Sequence, residues 1–229
     1  IGLDFTDVTW EKLLEMGKQV QEYNSDCYFL NVDTAYLLTH VFRPYAMQLT
    51  GKSFINDEEL KINLTDKQIT EILQYISNLY STKTVQAAGE TATFEGAPQT
   101  NSKWVNGEIV CALTNSSQIN NFASANESAE YTVVNMPVQA DSSKQLNDGY
   151  SLDPPQLMCV NKSSEHVEEA VDFLNYFFNN EEAAVTLKDL RSVPPTENAR
   201  KICEEQSLID ELVITSVELM SDKNGVNEL

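Results

Sequence analysis

Apolar and polar positions divide the chain into helix-length and strand-length segments. Residues 9–23 place Trp10, Leu13, Leu14, Met16, Gly17 and Val20 near one face behind a capping Thr9, which predicts a helix. Asn24-Ser25-Asp26 reads as a turn and residues 27–32 as a short apolar strand. Asp33-Thr34 caps a second helix predicted over 35–49, Gly51 ends it, and 52–63 form a polar connection. Residues 65–80 carry Ile69, Ile72, Leu73, Ile76 and Tyr80 on one stripe and predict a third helix. Residues 84–102 read as loop.

Beyond the loop, residues 109–113 are a buried strand, with Trp104 expected beneath it. The polar turn 114–117 leads into a short helix over 118–122. Residues 131–138 alternate and read as a strand ending at Pro137, 141–155 as loop, and 156–160 as a third apolar strand. A helix over 164–178 turns Val167, Ala170, Val171, Leu174 and Phe177 inward. Helices over 181–190 and 196–220 flank the breaker Pro194-Pro195. Strands alternating with a majority of helices predict a helix-rich α/β fold.

Composition narrows the function. The chain has 229 residues, enough for one large core or two small ones. Its 35 acidic and 15 basic side chains give a net charge of −20, which repels a phosphate backbone and argues against nucleic acid and anionic membrane surfaces. No apolar run is long enough to span a bilayer. The four cysteines form no CxxC pair, and a zinc site is not expected. Cys27, Cys111 and Cys159 sit in apolar runs and read as buried thiols, with a strand disulfide left open.

No cofactor or catalytic signature is found. Gly51-Lys52-Ser53 resembles the end of a phosphate loop but closes a helix, and Ala46 stands where the first glycine belongs. GxGxxG, GxSxG and HExxH are absent. His166 is expected on a solvated helix start among Glu165, Glu168 and Glu169, and His40 in mid-helix. Acidic clusters such as Asp57-Glu58-Glu59 and Glu204-Glu205 read as solvated helix faces, and Asp222-Lys223-Asn224-Gly225 as a turn.

Five stretches, in order, resemble the extracellular solute-binding proteins of bacterial ABC importers, the carbohydrate-binding group to which maltose-binding protein belongs. They are residues 8–18 (VTWEKLLEMGK), 51–80 (from GKSF to SNLY), 104–112 (WVNGEIVCA), 156–178 (from QLMCV to YFF) and 191–195 (RSVPP). The chain departs from the pattern in three places. Cys111 stands for a methionine, Asp148-Gly149-Tyr150 for a glycine pair, and Asn115-Ser116-Ser117 lacks the usual aromatic.

The resemblance implies a type II periplasmic-binding-protein-like α/β fold, present here mainly as one lobe. It assigns 1–130 and 179–229 to the C-terminal-type lobe and 131–178 to a hinge-crossing segment of the other lobe. On this resemblance the chain would lack the opening of the first lobe. The implied function is a non-enzymatic receptor for a small solute, a sugar, delivering it to an ABC permease outside the cell. Any membrane attachment would run through a lipid anchor outside this chain. Ligand contacts are expected from three loops: Asn31, Asp33, Thr34 and Tyr36; Thr114, Asn115, Ser116 and Ser117; and Gly149 with Tyr150. The competing readings are an α/β scaffolding domain that binds a protein, and a carboxylate-dependent glycosidase.

Overall fold

A computed structural model describes residues 1–56, 58–151, 157–190 and 192–226. Asp57, the opening Gln156 of the third predicted strand, Pro154-Pro155 of the predicted loop, and Arg191 of the RSVPP stretch lie outside those residues. The chain forms two compact units: residues 1–114, 121–153 and 219–229, and residues 115–120 with 154–218.

The first unit is built around α1 (Trp10–Tyr23), β1 (Tyr28–Asn31) and a long helical rod. Thr9 caps α1, its Oγ1 accepting from Lys12 N at 3.1 Å. Trp10, Leu13, Met16 and Val20 of α1 are buried against Phe29, Leu30 and Val32. The rod is α2 (Thr34–Leu37), a π turn (Leu38–Phe42) and α3 (Arg43–Thr50), where one unbroken α-helix was expected. Pro44 explains the difference. It has no N–H to donate, and its ring crowds the carbonyl four residues back, so the rod widens and Arg43 N bonds the Leu38 carbonyl instead. Gly51 ends α3 in the left-handed region at φ 69°, as its position predicts.

The hairpin β2 (Ile55–Asn56) and β3 (Lys61–Ile62) leads to α4 (Asp66–Ser81). Glu58 and Glu59 lie in its turn, not on a helix face. The reciprocal Thr65–Gln68 capping box opens α4. Residues 84–102 contain α5 (Ala88–Thr91) and short 3₁₀ turns before α6 (Ser102–Val105). β4 (Ile109–Ala112) pairs parallel with β1, in the register Tyr28 opposite Ile109 and Leu30 opposite Cys111. The far edge of β1 is satisfied by the Thr84 carbonyl, which accepts from Phe29 N and Leu30 N at 3.1 and 3.0 Å. Trp104 is buried, as expected, and stacks edge-on against Phe122 of α7 (Ile119–Ser124).

Two predicted strands do not form. Residues 131–136 alternate in burial but have no ladder partner, and only Val138 makes a bridge, to Thr9. Among the described residues no neighbouring strand offers itself to 131–136, so alternation alone does not build a sheet. Residues 157–160 are irregular, with Leu157 67 % and Met158 53 % exposed. Cys159 is accordingly exposed rather than buried, Cys27 and Cys111 are half-buried, and all four cysteines are free. The first unit closes with β5 (Tyr150–Ser151), parallel to β6 (Gly225–Val226).

The second unit holds α8 (Val167–Asn179), α9 (Glu181–Leu187), α10 (Glu197–Glu205) and most of α11 (Glu211–Ser221). A small core of Ala184, Ala199 and Cys203 joins α9 and α10. The helix expected over 196–220 is two helices. Ser207 turns left-handed at φ 54°, and Leu208 N reaches back to the Cys203 carbonyl, a Schellman-type stop. Lys188, at φ 49°, likewise ends α9 short of Leu190. α8 has the expected stripe, yet no residue on it is buried, and Val167 and Val171 are 36 % and 51 % exposed. Periodicity names the apolar face of a helix but not what covers it.

Candidate functional site

The carboxyl ends of β1 and β4 lie side by side, and the chain leaves β1 through Asn31 into the start of α2. Such strand ends are where α/β folds place ligands. Asn31 and Asp33 are each 1 % exposed, so their polar atoms need internal partners. Asn31 Nδ2 donates to the Pro98 carbonyl at 2.8 Å, and Asn31 Oδ1 accepts from Asn101 Nδ2 at 2.9 Å. Asn101 Nδ2 also donates to Gln86 Oε1 at 2.6 Å. The Asp33 carboxylate caps α2, Oδ1 accepting from Tyr36 N at 2.7 Å while Oδ2 accepts from Gly96 N at 2.7 Å. These two side chains therefore fasten the 95–101 loop to the strand end.

The groups not engaged in fastening the loop are Thr34, Tyr36 and Thr114. Thr34 is exposed, its hydroxyl set against the Tyr80 phenol. Tyr36 is half-buried and stacks on His40 with ring centroids 4.5 Å apart, tilted by 17°. Burial pushes the Tyr36 phenol above its ordinary value, and the Asp33 charge adds to this, while the Thr114 hydroxyl opposes it. Thr114 Oγ1 is shielded from water yet makes no hydrogen bond of good geometry. The hydroxyl set against the Tyr36 phenol helps to fix a half-buried ring whose face a sugar could stack on.

The remaining candidates fall elsewhere. Asn115, Ser116 and Ser117 belong to the second unit, where Asn115 precedes a 3₁₀ turn over Ser116–Gln118. Gly149 and Tyr150 pack at the far end of the rod. Gly149 holds φ 77°, and a Cβ there would come within 2.9 Å of Gln48 Nε2 and 3.0 Å of the Pro44 carbonyl. Tyr150 Oη accepts from Met136 N at 3.0 Å and braces the 135–150 loop. Gln48 lies twelve residues beyond Tyr36, about 18 Å along a helical rod. Gly149 and Tyr150 are thus separated from the strand-end cluster within the same unit.

Sequence reasoning passed over His40. It lies in mid-helix as expected and is buried, and the four-residue spacing from Tyr36 across the π turn stacks the two rings, with Thr39 Oγ1 2.7 Å from its Nδ1. The signal was available: aromatics at i and i+4 share a helix face. His166 is 77 % exposed on its side chain, beside Glu169. Among the described residues no cluster of three or more His, Cys, Asp or Glu could hold a metal ion. No helix is long and apolar enough to cross a membrane, among the described residues.

Comparison with known proteins gives the geometry its context. The fold is similar to that of a periplasmic oligogalacturonide-binding protein of Yersinia enterocolitica in complex with saturated digalacturonic acid. That match has a TM-score of 0.87 at 19 % identity and covers 99 % of this chain and 57 % of that one. A periplasmic solute-binding protein of Pectobacterium atrosepticum matches with a TM-score of 0.82 at 19 % identity, over 96 % of this chain and 55 % of that one. The maltose/maltodextrin-binding domain of Bdellovibrio bacteriovorus bound to maltotriose matches with a TM-score of 0.64 at 17 % identity, over 98 % and 57 %. The chain thus spans little more than half the length of these structures, and at such identities they establish the fold alone. The bacterial extracellular solute-binding family model matches residues 5–208, nearly the whole chain. With a periplasmic-binding fold and a family of binding proteins rather than enzymes, the chain belongs to the bacterial extracellular solute-binding proteins.

Proposed function

We propose that this chain is one lobe, with a hinge-crossing segment, of a receptor that captures a sugar outside the cell and hands it to an ABC permease. The observation that carries the reading is the half-buried Tyr36 ring, set beside the shielded Thr114 hydroxyl at the parallel strand ends. Sugars present apolar ring faces and rigidly spaced hydroxyls, which an aromatic face and a few fixed polar groups recognise together. Family membership and the sugar ligands named for two of the similar structures support the same reading.

In this reading Thr34 and Tyr36 meet the solute, with Asn31, Asp33 and Thr114 holding them in place, and Asn115, Ser116 and Ser117 stand as separate candidate contacts of the second unit. Gly149 and Tyr150 fix the crossing segment. Residues 1–130 and 179–229 form the C-terminal-type lobe, and 131–178 return to the other lobe. Closure of two lobes on the solute shifts a population of open and closed forms without covalent chemistry. A lipid anchor would tether the receptor to the cell surface.

A second reading, a scaffolding domain that binds a protein, draws on the exposed apolar residues Leu157, Met158, Val171 and Phe173 of the second unit. Calorimetric titration of the receptor at its full encoded length with neutral and acidic oligosaccharides and with oligopeptides separates the two. Saturable saccharide binding is expected. Absence of any saccharide or peptide binding, with recovery of a protein partner, would favour the scaffold.

A further inference from the structure

We infer that the strand-end site takes a neutral, hydroxyl-bearing ring and discriminates against a carboxylated one, with Asp33 as the residue that sets the discrimination; this rests on the sugar-binding reading above. The argument concerns where the anion-binding capacity of the site has gone. Two backbone N–H groups at this corner, those of Tyr36 and Gly96, point where a ligand carboxylate could be held. Both donate to Asp33 instead, each at 2.7 Å. The protein's own carboxylate thus occupies the position that an acidic sugar would use.

That charge is not diluted by water. Asp33 is 1 % exposed, and its hydrogen-bond partners among the described residues are the two amides. Its field reaches both phenols of the site, disfavouring ionisation of Tyr36 and of Tyr80. A uronate arriving beside Tyr36 would meet the same repulsion. The groups open to a solute, the Tyr36 ring and the Thr34 hydroxyl, are neutral and suit a sugar.

The test is a matched pair of probes, digalacturonate and its neutral counterpart digalactose, titrated calorimetrically into the full-length receptor at about pH 8. The neutral disaccharide should bind at least about tenfold more tightly, a difference of about 1.4 kcal/mol. In Asp33→Asn, which retains a good helix cap, that ratio should narrow whatever the absolute affinities. Digalacturonate binding as tightly as digalactose, or more so, would overturn the inference while leaving the sugar-binding reading intact. A wild-type preference that persists unchanged in Asp33→Asn would overturn the role of Asp33. Binding of neither disaccharide, alongside binding of an oligopeptide, would count against the sugar-binding reading itself. The wild-type comparison decides the selectivity even if the variant fails to fold.

Discussion

Gln48 gives the most exposed prediction. Its side chain is fully buried in α3 and satisfies three groups at good distance. Oε1 accepts from Trp10 Nε1 at 2.7 Å and from Gln139 Nε2 at 3.1 Å, and Nε2 donates to the Pro137 carbonyl at 2.8 Å. A longer contact of 3.3 Å reaches the Asp148 carbonyl. Gln48→Met preserves shape and strands all three partners in a dry interior. Each stranded group costs about 1–3 kcal/mol, partly offset by burying a thioether, so the expected loss is about 3–5 kcal/mol. That is a large share of the roughly 5–15 kcal/mol that separates folded from unfolded domains.

Both tryptophans, Trp10 and Trp104, lie in the first unit, so intrinsic fluorescence in a urea titration reports that unit alone. The midpoint should fall in step with the predicted loss at unchanged slope. Limited proteolysis should cut the loop over 137–148 faster, because Gln48 ties two of its carbonyls to α3. A loss below about 1 kcal/mol would refute the reasoning, since it would mean that the stranded groups find other partners.

Gly17→Ala should destabilise the same unit by about 1–2 kcal/mol despite better helix propensity, because the added Cβ would sit 2.2 Å from Thr84 Oγ1; an unchanged or raised urea midpoint would contradict this. Burial pushes the Tyr45 phenol up to about 12, so its contribution to stability is complete below about pH 10 and is lost as pH rises towards 12. Stability curves across that window should flatten in Tyr45→Phe, and an unaltered alkaline slope would sink the assignment. Tyr36→Ala in the full-length receptor should weaken saccharide binding by about tenfold or more, as loss of a stacking face does, with a smaller effect on unfolding; calorimetry showing wild-type affinity would remove Tyr36 from the site.

Much of the fold is legible in the sequence because its signals are local. Thr9, Asp33 and Thr65 cap helices where their spacing ahead of an apolar stripe places them, and Gly51 stops a helix in the only backbone region that favours it. Each of these depends on atoms within a few residues. The π turn was also written locally, in Pro44, but its effect competes with strong flanking helix periodicity. The site was partly legible. Tyr36 and Thr114 follow the two apolar runs that become β1 and β4, and the Asp33 cap was legible too, whereas the role of Asn31 and the second Asp33 contact could not be read, since their partners Pro98, Asn101 and Gly96 are more than 60 residues away.

The sequence by itself determined where the long helices lie, the caps Thr9, Asp33 and Thr65, the stop at Gly51, and that Trp104 is buried. Only the tertiary structure decided which apolar segments became strands. Residues 28–31 and 109–112 found each other as parallel partners, while 131–136 and 157–160, with equally suitable side chains, did not. It likewise decided that Asp33 would spend its charge on two backbone amides and that the Thr114 hydroxyl would be shielded from water beside Tyr36. The physical reason is one of range. A helix satisfies its backbone within itself, whereas a strand, and a site at strand ends, is completed by groups that the chain brings from far away.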